Sequence, residues 1–183
     1  MLEGSVAVIV DGSPVVLTVP CLFAEALQSS EDYAKSPYYA TFLRLLRFFS
    51  LLAALFLPAV FIALMYFHQT AIPLSLLQKI SESRAAIPLP VFWETLFTLL
   101  SFEIIREVGI RMPRSVGGAV SLAAALILGD SAIAAGIASA PVIIVTAFSA
   151  ICSFAAPPLS NAQTIVRFLL LAAARLAGLF GIG

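Results

Sequence analysis

Charged side chains are scarce in this chain of 183 residues, and they cancel. Only 11% of the residues are charged and 61% are apolar, against about 25% and about 45–50% in a typical soluble globular domain. This composition excludes an ordinary cytosolic enzyme. The formal net charge is zero, so no overall basic field is present to attract nucleic acid.

Residues that usually carry catalytic or metal chemistry are also few. Cys21 and Cys152 lie far apart in the sequence, and His68 is the single histidine. Neither a disulfide framework nor a clustered metal site is therefore expected. The sequence also contains no P-loop and no dinucleotide-binding glycine pattern. We expect no catalytic residues, no metal and no cofactor, and we predict that the protein is not an enzyme.

The N-terminal part, residues 1–40, differs from the rest in its pattern. Two runs rich in β-branched residues flank Asp11-Gly12, a pair typical of tight turns, which predicts a β-hairpin over residues 5–19. Helical stretches are predicted over residues 22–36. Because an isolated hairpin is marginally stable in water, we expect residues 1–40 to be the C-terminal remnant of a truncated soluble α/β domain.

Long uncharged runs dominate residues 41–183, which are predicted to be a partial membrane domain. Residues 48–67 form twenty consecutive positions without a charge, enough to cross a hydrocarbon core of about 30 Å at about 1.5 Å per residue. The predicted fold class is mainly α, a multispan α-helical membrane protein with the short N-terminal β-hairpin. The predicted spans lie at about residues 46–67, 92–110, 116–136, 139–156 and 164–182.

Arginines at the ends of these segments predict the orientation, because cytoplasmic flanks are enriched in Lys and Arg. The amphipathic segment 92–110 either crosses the membrane or lies on its outer surface. Crossing places its C-terminal arginines on the cytoplasmic side, in agreement with this rule, and we favour it. The topology-setting residues are Arg44, Arg47, Arg106, Arg111 and Arg114.

Ionisable side chains within the predicted spans are the candidates for function. Glu94, Thr98 and Ser101 share one face of the segment 92–110, and Glu103 points nearly the opposite way. A lone ionisable group at bilayer depth costs about 2.5–3.5 kcal/mol, so these groups should face protein or water. Glu103 either lines a pore or pairs with the arginine three residues later. Asp130 is either a pathway residue or an outer helix-end residue. The pore-lining candidates are Glu94, Thr98, Ser101, Glu103 and Asp130.

Small residues and two isolated arginines complete the pattern. Gly117, Ser121, Ala125 and Gly129 recur every four residues and predict a helix-packing stripe, because small side chains let backbones approach closely in lipid. Arg167 can reach the membrane surface by snorkelling. Arg175 lies deeper in the apolar segment and needs a partner or water, which the sequence does not identify.

Six stretches of the chain form a distinctive set when they are taken in order. They are VIVDGSPVVLTVP, QSSEDYAKSP, TFLRLLRF, FEIIREVGIRMP, GGAVSLAAALILGDSAIAAGI and GLFGIG. Together they resemble the A-subunit family of GerA-type spore germination receptors, which also includes a paralogue associated with the dipicolinic-acid release machinery. Residues 102–113 match the family's pattern Phe-Glu-Ile-Leu-Arg-Glu-x-Gly-x-Arg-x-Pro. At Asp130 the family commonly has glutamine, and at Arg175 an apolar residue is expected.

The resemblance implies a multi-pass subunit in the inner membrane of the bacterial spore. It implies a homo-oligomer, a pentamer, around a nutrient-gated pore that releases monovalent cations at the start of germination. The implied partners are a permease-like B subunit, a lipoprotein C subunit and the lipid bilayer, with no nucleic acid. The alternatives are a non-conducting scaffold or accessory subunit for the receptor or the dipicolinic-acid channel, and a fragment of an unrelated secondary transporter.

Overall fold

The fold is mainly helical, and a short pair of strands precedes the helices in the chain. The strands β1 (Val6–Ile9) and β2 (Val16–Val19) pair antiparallel, with Val6 opposite Val19 and Ile9 opposite Val16. The predicted turn between them lies outside the described residues. The computed structural model describes residues 6–9, 16–19, 23, 27–28, 30–112, 114–155 and 159–182.

Helices occupy most of the described chain after residue 29. In the described ranges, the 3-10 helices Ser30–Ala34, Gln69–Ala71 and Gly178–Gly181 accompany the longer elements. The α-helices are α1 (Pro37–Phe67), α2 (Leu74–Arg84), α3 (Val91–Arg111), α4 (Arg114–Ala134), α5 (Ala140–Ser153) and α6 (Ser160–Ala177).

Prolines set where several of these helices begin. Pro37 is the first residue of α1, and Pro73 and Pro90 immediately precede α2 and α3. The fixed φ of proline suits a helix start, whereas the residue before a proline is pushed towards extended backbone. Ser36, with φ −61° and ψ 144°, shows this effect. It explains why the 3-10 helix Ser30–Ala34 stops before Pro37. In the region 22–36, predicted to be helical, Phe23 is also helical.

The core lies where α1 and α6 meet α3 and α5. Helix α1 packs mainly on α6 and α5, while α3 packs on α4 and α5. Ile62, Leu99, Val142 and Leu171 are fully buried at the centre of this arrangement. Ile80 of α2 joins them, so five of the described helices contribute to one apolar core.

Two helical stretches of the described chain are long and apolar enough to cross a membrane, Pro37–Phe67 and Ala162–Gly181. They contain or overlap the predicted spans 46–67 and 164–182. The apolar stretches Ala123–Ala134 and Ala140–Ser153 are shorter. The crossings predicted at the three intermediate segments stay predictions.

Pro58 lies inside α1 and frees a backbone carbonyl for contacts between helices. Proline has no N–H, so the carbonyl oxygen of Ala54, four residues earlier, loses its donor within the helix. The Ser149 hydroxyl on α5 donates to this oxygen at 2.8 Å, and Nε of Arg167 on α6 donates at 2.9 Å. One proline therefore creates an acceptor that joins α1 to two neighbouring helices.

Candidate functional site

Glu94 lies in the first turn of α3 and links three elements of the fold. Its Oε1 accepts hydrogen bonds from the backbone N–H and the hydroxyl of Ser139, each at 2.5 Å. Its Oε2 accepts from Nε of Arg84, at the end of α2, at 3.3 Å. The residue is only 1% exposed. Because both carboxylate oxygens have partners, Glu94 holds the end of α2 and the start of α5 against α3.

The two hydroxyl residues predicted on the same face bond to their own helix. The Thr98 hydroxyl donates to the carbonyl of Glu94 at 2.7 Å, and the Ser101 hydroxyl donates to the carbonyl of Phe97 at 2.8 Å. Such bonds to the preceding turn satisfy a hydroxyl without a partner from another helix. Their oxygens keep acceptor capacity for water or a cation.

Each of the five pore-lining candidates borders one of two adjoining cavities between α3, α4 and α5. Glu94, Thr98 and Ser101 line a cavity of 310 Å³. Glu103 and Asp130 line a cavity of 610 Å³. Both cavities are otherwise largely apolar and share four lining residues, which are Phe102, Ile105, Gly129 and Ile143.

Glu103 pairs with the arginine one turn later and with a residue of α6. Nη2 of Arg106 forms an ion pair with Oε1 of Glu103. The Thr164 hydroxyl donates to the same Oε1 at 2.9 Å, and Arg106 Nη2 also contacts the Thr164 hydroxyl oxygen at 3.0 Å. Of the two interpretations left open by the sequence, the intrahelical pair is present, and the side chain also borders the larger cavity.

Asp130, near the end of α4, is exposed and borders the same cavity. Within the described part of the chain its carboxylate has no hydrogen bond and no ion pair. Glu94 and Glu103 both have basic partners. Asp130 is therefore the carboxylate among the five candidates that carries uncompensated negative charge.

Beside Glu103, two long polar side chains of α6 are almost completely buried. Arg167 is 2% exposed and Gln163, one turn earlier, is 3% exposed. Arg167 interacts electrostatically with both Glu103 and Arg106, in addition to its hydrogen bond to Ala54. Arg167 is thus held among the helices, and the structure gives its side chain protein partners in place of the snorkelling that the sequence allowed.

Arg44 and Arg47, at the start of the first predicted span, meet an acidic residue of the preceding segment. Arg47 makes a two-pronged contact with Asp32, at 2.5 Å from Nη1 and 3.0 Å from Nη2, and it also donates to the carbonyl of Leu27 at 3.0 Å. Nε of Arg44 lies 3.9 Å from the same carboxylate. Both topology-setting arginines therefore also tie α1 to the residues before it.

At the end of α3, Arg111 pairs with Glu107 at 2.8 Å, and both side chains are largely exposed. The side chain of Arg114 lies outside the described residues. The role of these arginines in setting orientation stays a prediction.

Half of the predicted packing stripe on α4 falls within the described side chains. Ala125 and Gly129 border the larger cavity, and a Cβ on Gly129 would lie 3.8 Å from Ile143 of α5. This is an ordinary contact distance to a side chain of α5. The side chains at Gly117 and Ser121 lie outside the described residues.

Sequence reasoning missed the partners that lie far away along the chain. It did not identify Ser139 or Thr164 as partners of the two glutamates, nor Gln163 as a buried polar residue. It also left Arg175 without a partner, whereas its guanidinium lies 4.5 Å from the ring centre of Tyr66. No local signal marks these pairs. The described residues contain no group of three or more His, Cys, Asp or Glu side chains that could hold a metal ion.

The architecture defines a class of helical protein with two stretches of membrane-spanning length and paired or buried charges between its helices. Comparison with known families identifies it further. The chain belongs to the Bacillus/Clostridium GerA spore germination protein family, whose model matches residues 1–183. This membership confirms the resemblance seen in the sequence. Together, the family membership and the two apolar stretches indicate a membrane location.

Similar proteins include three from Bacillus. Spore germination protein KA of Bacillus subtilis (strain 168) is 42% identical over 100% of this chain and 34% of its own length. The uncharacterized membrane protein YfkQ of the same strain is 39% identical over 100% of this chain and 36% of its own length. Spore germination protein GerLA of Bacillus cereus is 38% identical over 100% of this chain and 37% of its own length. The chain thus spans about a third of these relatives. No solved structure matches it.

Proposed function

We propose that this chain is part of the membrane domain of a spore germination receptor subunit that assembles into an oligomeric, nutrient-gated channel. The channel releases monovalent cations across the inner spore membrane at the start of germination. A permease-like subunit that senses the nutrient and a lipoprotein subunit complete the complex. Membership of the GerA family supports the role in germination, and the membrane-capable helices support the multi-pass location.

The observation that carries the conducting role is the position of the five candidate side chains. They border two adjoining cavities between α3, α4 and α5. A cation path needs polar or acidic groups along apolar walls, because acidic side chains attract cations and apolar constrictions close by excluding water. Asp130 supplies the uncompensated carboxylate of this path. The shared residues Phe102 and Ile105 supply an apolar constriction between the two cavities.

Gating follows from the same arrangement. Germinant binding to another subunit favours opening only if it has a higher affinity for the open state. In the structure the carboxylate of Glu103 is held by Arg106 of the same helix and by Thr164 of α6. A movement of α6 away from α3 would remove the Thr164 donor and leave Glu103, still paired with Arg106, at the border of the larger cavity.

The test compares variants of the full-length protein in spores that contain the other receptor subunits. Asp130→Asn and Glu103→Gln should each change the rate of potassium release after nutrient addition, while subunit levels and co-purification stay normal. Glu107→Gln is the matched control, since Glu107 lies on the same helix in an exposed pair outside both cavities. Normal potassium release from both cavity variants, at normal protein levels, would remove these residues from the mechanism.

A non-conducting scaffold is the second candidate, and one observation favours it. The carboxylates of Glu94 and Glu103 are both occupied by partners from other helices, as expected for residues that hold an assembly together. The purified full-length oligomer in liposomes separates the two functions. Potassium flux that Asp130→Asn alters supports the channel, and absence of flux with the activating nutrient and all subunits present supports the scaffold. Family membership sets aside the unrelated transporter.

A further inference from the structure

The polar side chains between α3 and α6 form a cluster that borders the proposed cation path at Glu103 and extends beyond it to two buried residues of α6. We call it the arginine cluster, and it consists of Glu103, Arg106, Gln163, Thr164 and Arg167. The Thr164 hydroxyl contacts both Arg106 and Glu103, which fixes the guanidinium of Arg106 beside α6. Gln163 and Arg167 are one turn apart on α6 and therefore lie on the same face of that helix.

Several polar atoms of the arginine cluster are buried and have no hydrogen-bond partner in the part of the chain that the structure describes. They are Nε and Nη1 of Arg106, Nη2 of Arg167, and both amide atoms of Gln163. Gln163 is 3% exposed and Arg167 is 2% exposed, so water at the protein surface does not reach them. A buried polar group without a partner costs about 1–3 kcal/mol, and more when it is charged. Such atoms concentrated in one place indicate a missing partner.

The chemistry of that partner follows from the atoms that need it. Four of the five unpartnered atoms are nitrogens that can only donate, and the amide oxygen of Gln163 is the single acceptor. Two arginines and one glutamate also leave the cluster with a net positive charge. A water molecule brings donors as well as acceptors and no charge. An anion brings acceptors and neutralises the cluster.

We propose that the arginine cluster binds a small monoanion, either a carboxylate or a halide. The anion accepts hydrogen bonds from the free nitrogens of Arg106, Arg167 and Gln163, and Glu103 limits its affinity by like-charge repulsion. Arg106 and Glu103 also border the 610 Å³ cavity, which provides a route of entry. This site goes beyond the proposed cation path, and a bound anion would strengthen the contact between α3 and α6.

Thermal unfolding of the purified full-length protein in detergent tests the proposal, because a ligand that binds only the folded state raises the unfolding midpoint. Sodium acetate and sodium bromide are titrated against sodium gluconate at constant ionic strength. The wild-type midpoint should rise and saturate with acetate or bromide. Gln163→Leu removes a donor without adding charge and should raise the half-saturating concentration about tenfold. Arg167→Gln should abolish the rise.

Glu103→Gln should change the half-saturating anion concentration in the opposite direction from Gln163→Leu, which makes this test specific. Removing the carboxylate takes away a like charge, so the half-saturating concentration should fall about tenfold. Arg175→Gln is the control, since it removes a positive charge from α6 at an exposed position outside the cluster, and its titration should match the wild type. Absence of a saturable rise in the wild type would overturn the proposal. Equal half-saturating concentrations in wild type, Gln163→Leu and Glu103→Gln would overturn it equally. The readout does not depend on ion conduction.

Discussion

Replacing Glu94 by alanine should destabilise this protein more than replacing any exposed acidic residue on the same helix. The change removes the acceptor of both hydrogen bonds from Ser139 and the ion-pair partner of Arg84. The Ser139 backbone N–H and hydroxyl and the guanidinium of Arg84 would then be left without their acceptor. The ends of α2 and α5 would lose their common attachment to α3.

The magnitude follows from the burial of these groups. Removing one partner of a buried ion pair typically costs about 3–5 kcal/mol. Hydrogen bonds between helices in membranes average about 0.6 kcal/mol and reach about 1.7 kcal/mol, because the unfolded chain in the membrane also finds partners. With two hydrogen bonds and one ion pair lost at Glu94, we expect a loss of about 2–4 kcal/mol.

Glu107→Ala is the matched control, because it also removes a glutamate–arginine pair from α3, but one whose side chains are largely exposed. Its cost should be about 0.5 kcal/mol or less. Unfolding of the full-length protein in mixed detergent micelles, followed by the fluorescence of Trp93, measures both values. Equal losses for Glu94→Ala and Glu107→Ala would refute the conclusion that Glu94 links the three helices.

The same unfolding measurement tests three further substitutions. Ser149→Ala should cost about 0.5–1.5 kcal/mol, because it removes a buried hydrogen bond to the carbonyl of Ala54. Gly178→Ala should cost about 1–3 kcal/mol, because φ is +62° and the new Cβ would lie 3.0 Å from Phe67. Arg175→Ala should cost about 0.5–1 kcal/mol by removing an exposed cation–π contact. A Gly178→Ala cost no larger than that of Arg175→Ala would contradict the strain argued at the helix end.

Much of the helical framework was predictable because its signals are local. Helix α2 starts after Pro73 and ends at Arg84, and α3 starts after Pro90, as the prolines and the run lengths indicate. Helix α1 begins nine residues earlier than the predicted span at residue 46. That early part carries Arg44 and two tyrosines, so a search for uncharged runs omits it although it continues the same helix.

The candidate site was predictable only where partners are close in the chain. The pair of Glu103 and Arg106 is visible as an i, i+3 spacing. The bond from Ser139 to Glu94 joins residues 45 apart, and the bond from Thr164 to Glu103 joins residues 61 apart. Neither spacing follows from a period of helix or strand, because the packing of whole helices determines it. Sequence reasoning therefore identified the carboxylates and missed the residues that hold them.

Two features that looked unfavourable in the sequence explain each other in the structure. Pro58 leaves a carbonyl of α1 without a donor, and Arg167 brings a charged donor into an apolar helix. A buried polar group without a partner costs about 1–3 kcal/mol, and more when it is charged. At Ala54 the freed carbonyl accepts from the Ser149 hydroxyl at 2.8 Å and gives Nε of Arg167 an acceptor at 2.9 Å. This bond uses Nε alone, and in the described part of the chain Nη2 of Arg167 has no hydrogen-bond partner. The proline thus fixes where Arg167 is anchored, and this anchorage keeps its free nitrogen within the arginine cluster.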